Sequence, residues 1–536
     1  GRNASVKKSK ALVFTCQMGT WSLRVNIQPP TLQGFAQLAS RGSVSHLLSL
    51  SLFTRAVPMD HDRLELSPEK MRTLGYRVVD LLVDHFADGG DESLGEAPSR
   101  DELEAHLRED LPEEGTPPEA VLDQVEAEVL PNTMRVDHPR FFGFVPGPNN
   151  FVGVLADMLA SGFNVFSGTW ISGAAAAQIE LVVIDWLRTL CGLPEAAGGL
   201  FTSGGSMANV TALAAARHAR LDDDVTGAVA YCSDQTHTSV DRARRLLGFG
   251  PDQLHRVPAD DRYRLDPEAL REAIAADRAA GRRPFCIIAN AGTTNTGAVD
   301  PLPALAALAD AEDLWLHVDG AYGAPTVVCE RGQNRLVGIE RVDSLTLDPH
   351  KWLFQPFEIG GVLVRDEQHL RRAFRLEAEY LEDAVGAADE VNFSASGIQL
   401  TRSFRALKLW MTLKVFGREH VATAVARGFE RAEQAERLLR GRPGWTVVTP
   451  AQMGIITFRC EPDGWTPDQV DALTRRLIAA VNDEGAAFLT QTTLDGRPVL
   501  RLCPINPRTT AKDLEETIAR LDALQAEIEV GATPAS

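Results

Sequence analysis

Short apolar segments alternate with helical stretches along the chain from about residue 150 onward. Six of these segments are predicted to be strands: Gly199–Phe201, Ala228–Cys232, Phe285–Ala289, Leu314–Val318, Ser344–Leu347 and Gly361–Val364. Consecutive parallel strands require a long crossover, which is usually a helix. The alternation therefore predicts an α/β fold with a mainly parallel sheet that is covered by helices.

Different patterns flank this region on both sides. Helical spacing begins after Ser67 and recurs over Arg100–Leu111 and Glu119–Leu130. After a long helical stretch from Phe404, strand patterns return at Trp445–Val448, Ile455–Phe458 and Val499–Leu502, with helices between and after them. We therefore expect a helical N-terminal segment (59–145), a large sheet domain (146–430) and a small α+β C-terminal domain (431–536).

The first 58 residues differ in composition from the rest. They contain seven basic residues, no acidic residue and many serines. Such a leader resembles an organellar transit peptide, but Met59 followed by Asp-His-Asp also resembles an ordinary start preceded by an over-extended reading frame or an added expression sequence. We favour the second interpretation and expect the leader to be poorly ordered.

Composition excludes several classes of function. The formal charge of −19 and the absence of a basic stripe argue against a nucleic-acid partner. We find no apolar run of the roughly 20 residues that span a bilayer, so we expect no membrane partner. The seven cysteines are scattered without a Cys-x-x-Cys pair, which indicates neither a disulfide framework nor a metal site.

Polar residues collect just after the predicted strands, where ligands bind in open parallel sheets. The small-residue turn Thr202–Asn209 leads into a helix predicted over Val210–Arg217, and bare amides at such a helix start, with Ser206 as a side-chain donor, suit a phosphate, although a turn of this kind is more often simple turn chemistry. His237 and Thr294 follow the next two strands, and each taken alone is an ordinary surface or turn residue. Only their joint occurrence favours a ligand site.

Two further strand ends supply the most informative pair of side chains. Asp319 follows Leu314–Val318, and Lys351 follows Ser344–Leu347 within Asp348-Pro-His-Lys-Trp352. A lysine that forms a Schiff base and a carboxylate that keeps a pyridine nitrogen protonated are the groups that pyridoxal phosphate chemistry requires. Alone, Asp319 is equally typical of a turn cap and Lys351 of a solvated loop.

Several ordered motifs carry a family resemblance from about Leu66 to Leu524. They include His138–Phe142, Leu155–Leu159, Ser233–His237, His317–Tyr322, Asp348–Trp352 and Phe404–Trp410. The sequence resembles the pyridoxal phosphate-dependent group II amino acid decarboxylases, the family of aromatic amino acid, histidine and glutamate decarboxylases. The resemblance implies fold-type I architecture, pyridoxal 5'-phosphate as cofactor, and a cytoplasmic homodimer with active sites at the interface.

The resemblance also implies roles for individual residues. Lys351 corresponds to the lysine that binds the cofactor aldehyde, Asp319 to the partner of the ring nitrogen, and His237 to the residue stacked on the ring. Gly205 and Ser206 correspond to the phosphate cradle, Thr294 to a threonine near the cofactor, and His350 to the histidine beside the lysine. The role of Asp348 stays open, because a carboxylate near a phosphate is repulsive unless donors intervene.

The acidic segment from Glu377 to Glu390 lacks sustained periodicity and is predicted to be a mobile loop over the substrate. Tyr380 lies within it. In the family, a tyrosine in this loop is implicated in protonating the substrate Cα, and phenylalanine there is associated with aldehyde formation. Tyr380 therefore favours amine production, whereas without the resemblance it reads as an aromatic residue that pins the loop.

The substrate is less constrained by the sequence. By resemblance, Phe141, Phe142, Phe144 and Phe166 border the substrate side chain, although each is also typical of a core residue. Aromatic walls favour decarboxylation of tryptophan, tyrosine or phenylalanine over an acidic amino acid. Gly147 stands where animal relatives carry threonine, and Arg402 is compatible with binding an anion or with a helix-surface ion pair. The remaining alternatives are an aldehyde synthase, lyase or transaminase of this fold, and a non-catalytic protein that binds the cofactor.

Overall fold

A computed structural model describes residues 64–90, 94–95, 98–375 and 390–532. The leader (1–58) and the loop with Tyr380 lie outside the described residues. The chain divides into two compact units, residues 1–79 and 80–536. In the first unit, the described part is mainly the beginning of helix α1 (Pro68–Ala87), which ends in the second unit.

The N-terminal helices of the second unit are short. They are α2 (Arg100–Leu107) and α3 (Pro118–Gln124), and a π turn at Val125–Val129 and a 3₁₀ turn at Leu130–Asn132 follow α3. Ser99 caps α2, accepting a hydrogen bond from the Glu102 amide while the Glu102 side chain accepts one from the Ser99 amide. The helical segment predicted from the sequence is confirmed, although α2 ends four residues before the predicted Leu111.

A seven-stranded sheet forms the centre of the second unit. Its strands are β1 (Gly198–Thr202), β2 (Ala228–Ser233), β3 (Leu254–Val257), β4 (Arg283–Asn290), β5 (Trp315–Asp319), β6 (Ser344–Leu347) and β7 (Gly360–Val364). Their spatial order is β1-β7-β6-β5-β4-β2-β3. Only β7 runs antiparallel to its two neighbours, so the prediction of a mainly parallel sheet is confirmed.

The helices along this part of the chain are α4 (Phe151–Gly162), α5 (Trp170–Leu190), α6 (Gly205–Leu221), α7 (Ser239–Leu246), α8 (Pro267–Ala279), α9 (Leu302–Glu312), α10 (Glu330–Arg335), α11 (Pro349–Trp352) and α12 (Gln368–Phe374). Of these, α6 packs on one face of the sheet, and α8 and α9 pack on the other. Alternate residues of one strand enter two different apolar clusters: Val229 and Tyr231 enter one, while Ala228 and Ala230 enter the other. This alternation is expected for a strand that is buried on both faces.

A second, antiparallel sheet forms near the C-terminus. The long helix α13 (Ala406–Arg440) leads into β8 (Trp445–Gln452), β9 (Ile455–Cys460), α14 (Pro467–Asp483), β10 (Thr490–Leu494), β11 (Arg497–Leu502) and α15 (Ala511–Ala532). The strand order is β10-β11-β9-β8, and a separate apolar cluster lies beneath it. The predicted α+β pattern is confirmed, whereas the residue limits of the three predicted domains stay a prediction.

One described helix, α5, is long and apolar enough to cross a membrane by length and composition alone. The search of the sequence for such a run missed it. In the structure α5 packs against β1 and α13, and Ala176, Val183, Ile184 and Leu187 are buried in the core. Its Glu180 is fully buried, as expected of a helix that belongs to the sheet core.

Glu180 forms a buried ion pair with Arg402. Their side chains are 0% and 1% exposed, and Arg402 Nη2 also donates to the Phe201 carbonyl at 2.9 Å. Arg402 Nη1 donates to the Ser167 carbonyl at 3.1 Å, and the Phe201 amide donates to Glu180 Oε1 at 2.8 Å. Arg402 is therefore neither an anion ligand nor part of a helix-surface pair; it ties α5 and β1 to the segment before α13.

We expect Glu180→Ala or Arg402→Ala to lower the free energy of unfolding by about 3–5 kcal/mol, because either change leaves a buried charge unpaired. The double variant Glu180→Leu/Arg402→Met should lose much less, since no charge remains buried. Urea denaturation followed by circular dichroism measures both. Asp310→Asn, which breaks an exposed pair with Arg341, is the control and should leave the midpoint unchanged. Equal midpoints for Glu180→Ala and the wild type would contradict this role.

Candidate active site

A cavity of about 350 Å³ lies at the carboxyl ends of the central strands. It is lined by every described residue that the sequence analysis assigned to the cofactor: Gly205, Ser206, His237, Thr294, Asp319, Asp348, His350 and Lys351. Asp319 is the last residue of β5, and the others come from loops and helices that follow β1, β2, β4 and β6. The topology therefore brings together groups that are up to 146 positions apart in the sequence.

The start of α6 forms one wall of the cavity. Gly205 is its first residue, and Ser206 follows. A β-carbon at Gly205 would lie 2.8 Å from Ala321 Cβ and 2.9 Å from Asp348 Oδ2, so a larger residue does not fit there. The bare backbone leaves the amides at the start of this 17-residue helix facing a space that suits an anion.

Asp319 is the last residue of β5 and is held by three donors. Asn209 Nδ2 donates to its Oδ2 at 2.8 Å, while Thr346 Oγ1 at 3.2 Å and the Ala321 amide at 3.1 Å donate to its Oδ1. The residue is only 8% exposed. Donors of this kind stabilise the ionised carboxylate.

Lys351 lies on α11, directly after β6. Its Nζ is 3.0 Å from Asp348 Oδ2, and His350 Nε2 is 3.6 Å from the same oxygen. Asp348 Oδ1 is buried and has no hydrogen-bond partner among the described residues. Burial also lowers the pKa of His350 below its ordinary value, so at neutral pH this ring is uncharged.

His237 lies after β2 and is fixed along one edge of its ring. Its Nδ1 is 2.9 Å from Ser239 Oγ and accepts a hydrogen bond from the Ser239 amide at 3.2 Å. Partial burial lowers the pKa of His237, which makes the neutral imidazole the prevailing form at neutral pH. Thr294 is exposed on the loop after β4, and its carbonyl accepts from Arg501 Nε at 2.8 Å.

The four phenylalanines predicted to border the substrate do not line this cavity. Phe141 and Phe142 are 2% and 0% exposed; the Phe141 ring stacks on Phe488 at 4.9 Å, and Phe142 packs in the core beneath the second sheet. Phe144 is 62% exposed, and Phe166 is half-buried. The structure therefore does not bring these side chains together with Lys351, and their role in substrate binding stays a prediction.

Sequence reasoning missed several polar residues of the site. Asn209, Ser239 and Asn290 line the cavity, and His317 lies behind it, bonded to Asn209. Asn209 falls one helical turn after the predicted phosphate cradle, and His317 stands two residues before Asp319 on the same strand. The separation of His317 and Asp319 by two residues could have identified His317, because it puts both side chains on one face of β5.

Burial lowers the pKa of His317 to about 4, which predicts a dependence of stability on pH. Above about pH 6.5 this histidine is neutral in both the folded and unfolded states. Between about pH 6.5 and 4 the unfolded chain binds a proton that the folded chain does not, so the free energy of unfolding falls, by up to about 3 kcal/mol in total.

We expect His317→Gln, which has no group titrating in this range, to give a flatter curve of stability against pH. Urea denaturation of the cofactor-free protein at a series of pH values measures the curve. All other histidines are common to both proteins, so the difference between the curves isolates His317. Parallel curves would contradict a neutral buried His317.

Comparisons with known proteins identify the family of this chain. The family model described as the pyridoxal-dependent decarboxylase conserved domain matches residues 101–461. An aromatic-L-amino-acid decarboxylase from Bacillus atrophaeus is 48% identical over 471 residues, which cover 88% of this chain and 98% of that protein. A phenylacetaldehyde synthase from Arabidopsis thaliana is 32% identical over 464 residues, covering 84% and 95% of the two chains.

Solved structures give the same result. The Oryza sativa enzyme TDC with PLP and tryptamine superimposes with a TM-score of 0.83 at 29% identity, covering 87% of this chain and 99% of that one. Tryptophan decarboxylase from Catharanthus roseus in complex with L-tryptophan gives a TM-score of 0.81 at 28% identity, with coverage of 86% and 99%. The chain thus belongs to the pyridoxal-dependent decarboxylase family.

Proposed function

We propose that this enzyme converts an aromatic L-amino acid (tryptophan, tyrosine or phenylalanine) to the amine and carbon dioxide at the cavity around Lys351. The observation that carries the proposal is the meeting of Lys351, Asp319 and His237 at one cavity. The 48% identity to an aromatic-L-amino-acid decarboxylase supports the substrate class. Pyridoxal 5'-phosphate is the cofactor of this family.

The residues of the cavity fit this cofactor. Gly205 leaves a space that a β-carbon would fill, next to the first amides of α6, which suits the phosphate. Asp319 offers a fixed carboxylate to the ring nitrogen, and Lys351 offers an amine to the aldehyde. His237, Thr294 and His350 would contact the ring and its substituents, and Ser206 would add a hydroxyl donor to the phosphate.

When bound, pyridoxal phosphate supplies an electron-accepting ring that stabilises the electron pair left at the substrate Cα after carbon dioxide departs. The role of Asp319 is to keep a proton on the ring nitrogen, since an ionised carboxylate at hydrogen-bond distance raises the pKa of that nitrogen. His237 would orient the ring of the cofactor, and its neutral form would avoid repulsion with a protonated ring nitrogen.

Asp348 Oδ2 lies 3.0 Å from Lys351 Nζ. We propose that this pair orients the Lys351 side chain in the cavity. The lysine also neutralises the carboxylate, which lessens its repulsion of an incoming phosphate. Tyr380, which lies outside the described residues, is proposed to return a proton to the substrate Cα.

The edge of the cavity near Gly147 differs from that of animal relatives, which carry threonine at this position. A β-carbon at Gly147 would lie 2.6 Å from Phe357 Cζ, so a threonine requires Phe357 to move. The Phe357 ring is 60% exposed and 5.1 Å from the ring of His350, a residue of the cavity. We propose that Phe357, rather than Phe141 or Phe142, supplies an aromatic surface for the substrate side chain.

An aldehyde synthase is the second candidate function, because a phenylacetaldehyde synthase is among the relatives. Such a reaction consumes dioxygen and water and releases aldehyde, ammonia and hydrogen peroxide together with carbon dioxide. Tyr380 favours the amine over the aldehyde. The products therefore separate the two functions.

We expect purified enzyme with added cofactor to release carbon dioxide and amine in equal amounts from one aromatic amino acid, without hydrogen peroxide. Lys351→Ala should lose the visible absorbance of the lysine-bound cofactor and lower kcat by at least about 1,000-fold, since the covalent attachment is lost. Lys512→Ala, at a side chain that is 80% exposed, is the matched control and should resemble the wild type.

Three results would contradict the proposal. Peroxide and aldehyde in place of amine would indicate the aldehyde synthase, and keto acid would indicate a transaminase. Cofactor absorbance that depends on Lys351, without turnover of any aromatic or acidic amino acid, would indicate a non-catalytic protein.

We further propose that the enzyme is a cytoplasmic homodimer with its active sites near the interface. Large apolar side chains are exposed on α4, at the start of α5 and around the start of α13: Met158, Phe163, Ile171, Ile398, Leu400, Val415 and Phe416. These segments lie together, because α4 packs on α13 and the Ser167 amide donates to the Arg402 carbonyl at 3.0 Å. Exposed apolar surface of this kind is typical of an interface.

Phe163→Asp should therefore shift the enzyme from dimer to monomer, since a charge on the apolar surface is costly to bury. Analytical ultracentrifugation measures the mass, and circular dichroism verifies the fold. Leu246→Asp, at a side chain that is 68% exposed and away from these segments, is the control. A wild-type monomer, or a Phe163→Asp dimer of unchanged affinity, would contradict the proposed interface.

A further inference from the structure

Seven buried or partly buried polar groups form a continuous set of hydrogen bonds behind the cavity. We call it the Asn209 network, and its members are Trp315, Ser344, His317, Asn209, Asp319, Ser239 and His237. Asn209 is the branch point, since it contacts both Asp319 and Ser239. It is 0% exposed, so each of its polar atoms needs a partner within the protein.

The orientation of the Asn209 amide is fixed by Asp319. The amide Nδ2 lies 2.8 Å from Asp319 Oδ2 and 2.9 Å from Ser239 Oγ. An ionised carboxylate only accepts hydrogen bonds, so Nδ2 must face it. Rotating the amide by half a turn would place its carbonyl oxygen against the carboxylate and leave two acceptors in contact.

The opposite side of the amide requires a donor. Asn209 Oδ1 is 3.0 Å from His317 Nε2, so that nitrogen must carry a proton. Burial keeps His317 neutral at physiological pH, and a neutral imidazole has one N–H. His317 Nδ1 is therefore an acceptor.

The far end of the network agrees with this assignment. The indole N–H of Trp315, which can only donate, donates to Ser344 Oγ at 2.8 Å. The Ser344 hydroxyl is then free to donate its own proton to His317 Nδ1, 2.9 Å away. One direction of donation thus runs from Trp315 through Ser344 and His317 to Asn209.

The second branch reaches His237. Ser239 Oγ accepts a proton from Asn209 Nδ2 and donates its own to His237 Nδ1, at 2.9 Å. The Ser239 amide donates to the same nitrogen at 3.2 Å. His237 Nδ1 is an acceptor from both, which leaves the proton of the neutral ring on Nε2.

We propose that Asn209 is a positioning residue that couples Asp319 to His237, and that His317 sets the orientation of its amide. The Asn209 side chain holds the Asp319 carboxylate in one orientation and, through Ser239, holds His237 as the neutral Nε2–H tautomer. This inference rests on the proposed roles of Asp319 and His237. It adds Asn209, Ser239 and His317 as the groups that fix both at once.

The first test compares Asn209→Leu with the wild type. Leucine has a similar volume but offers no donor, so we expect kcat to fall about 10- to 100-fold, as for the loss of a hydrogen bond to a charged group. KM for the amino acid should change less than about threefold, because Asn209 acts through Asp319 and His237. Equilibrium dialysis of the cofactor-free protein against pyridoxal 5'-phosphate should show affinity weakened about 10-fold.

His317 provides a rescue experiment. His317→Leu removes the donor to Asn209 and should reproduce the losses of Asn209→Leu in the same direction. His317→Gln replaces it with an amide N–H, and kcat and cofactor affinity should return to within about threefold of the wild type. The matched control is Tyr231→Phe on β2 of the same sheet, which removes a buried hydrogen bond of 2.9 Å to Asp277 on α8 and should change neither quantity.

Asp319→Asn separates this proposal from the proposed function. If Asp319→Asn keeps normal kcat and cofactor affinity, the role of Asp319 in the proposed function is wrong. If Asp319→Asn loses activity while Asn209→Leu and His317→Leu match the wild type, the function stands and the positioning role is overturned. Equal losses in His317→Gln and His317→Leu would also overturn it, because no rescue would have occurred.

A measurement on the full wild-type chain reads the two tautomers directly, and variants serve only to assign the signals. Nitrogen-15 NMR of histidine-labelled protein reports which ring nitrogen carries the proton, and His237→Gln and His317→Gln assign the two signals. We expect both rings to be neutral with the proton on Nε2 at about pH 7.5. A proton on Nδ1 of either ring, or a charged His237 at that pH, would overturn the proposal.

Discussion

The register of three neighbouring parallel strands determines the geometry of the site. Asn290 at the end of β4 pairs with Asp319 at the end of β5, and Asp319 pairs with Thr346 on β6. Because side chains alternate along a strand, a shift of one residue in β5 would turn Asp319 and His317 to the other face of the sheet. The carboxylate, its Thr346 donor and its Asn209 partner therefore depend on backbone hydrogen bonds that carry no information about the chemistry.

Burial of polar groups around this edge is costly unless every one of them is paired. Asp319, Asn209 and His317 are nearly or completely buried, and each finds its partners on a different element. Apolar residues would make a simpler core at these positions. The cost of burying these three polar side chains is consistent with a site in which each must hold one orientation. Rotating any of them would leave a buried donor or acceptor unpaired. Asp348 Oδ1 is an exception among the described residues, since it is buried without a hydrogen-bond partner, and it lies beside Lys351, where a ligand is proposed to enter.

Much of the architecture could be predicted from local patterns. Apolar segments predicted β1, β2, β4, β5, β6 and β7 to within a few residues, because strands buried on both faces consist almost wholly of apolar residues. β3 (Leu254–Val257) was missed, since it lies at the edge of the sheet and contains His255 and Arg256. The predicted cofactor residues lie together because β2, β4, β5 and β6 are parallel neighbours, as the alternation of strands and helices already implied. β1 runs in the same direction as these strands but is separated from them by the antiparallel β7.

Long-range pairing could not be predicted in this way. Glu180 and Arg402 are separated by 222 residues, and Asn209 and Asp319 by 110, so no local spacing connects them. Phe141 and Phe142 show the same difficulty, because an aromatic pair near a family motif is compatible with a substrate-binding wall and with an apolar core. The Phe141 ring stacks on Phe488, hundreds of residues later, and no local pattern shows that contact. The residue type determines the chemistry of a side chain. Whether that side chain faces a ligand depends on partners that only the fold brings near. By its sequence position Asn209 is an ordinary helix residue. Its partners are the Asp319 carboxylate, the Ser239 hydroxyl and the His317 imidazole, and together they leave its amide a single orientation.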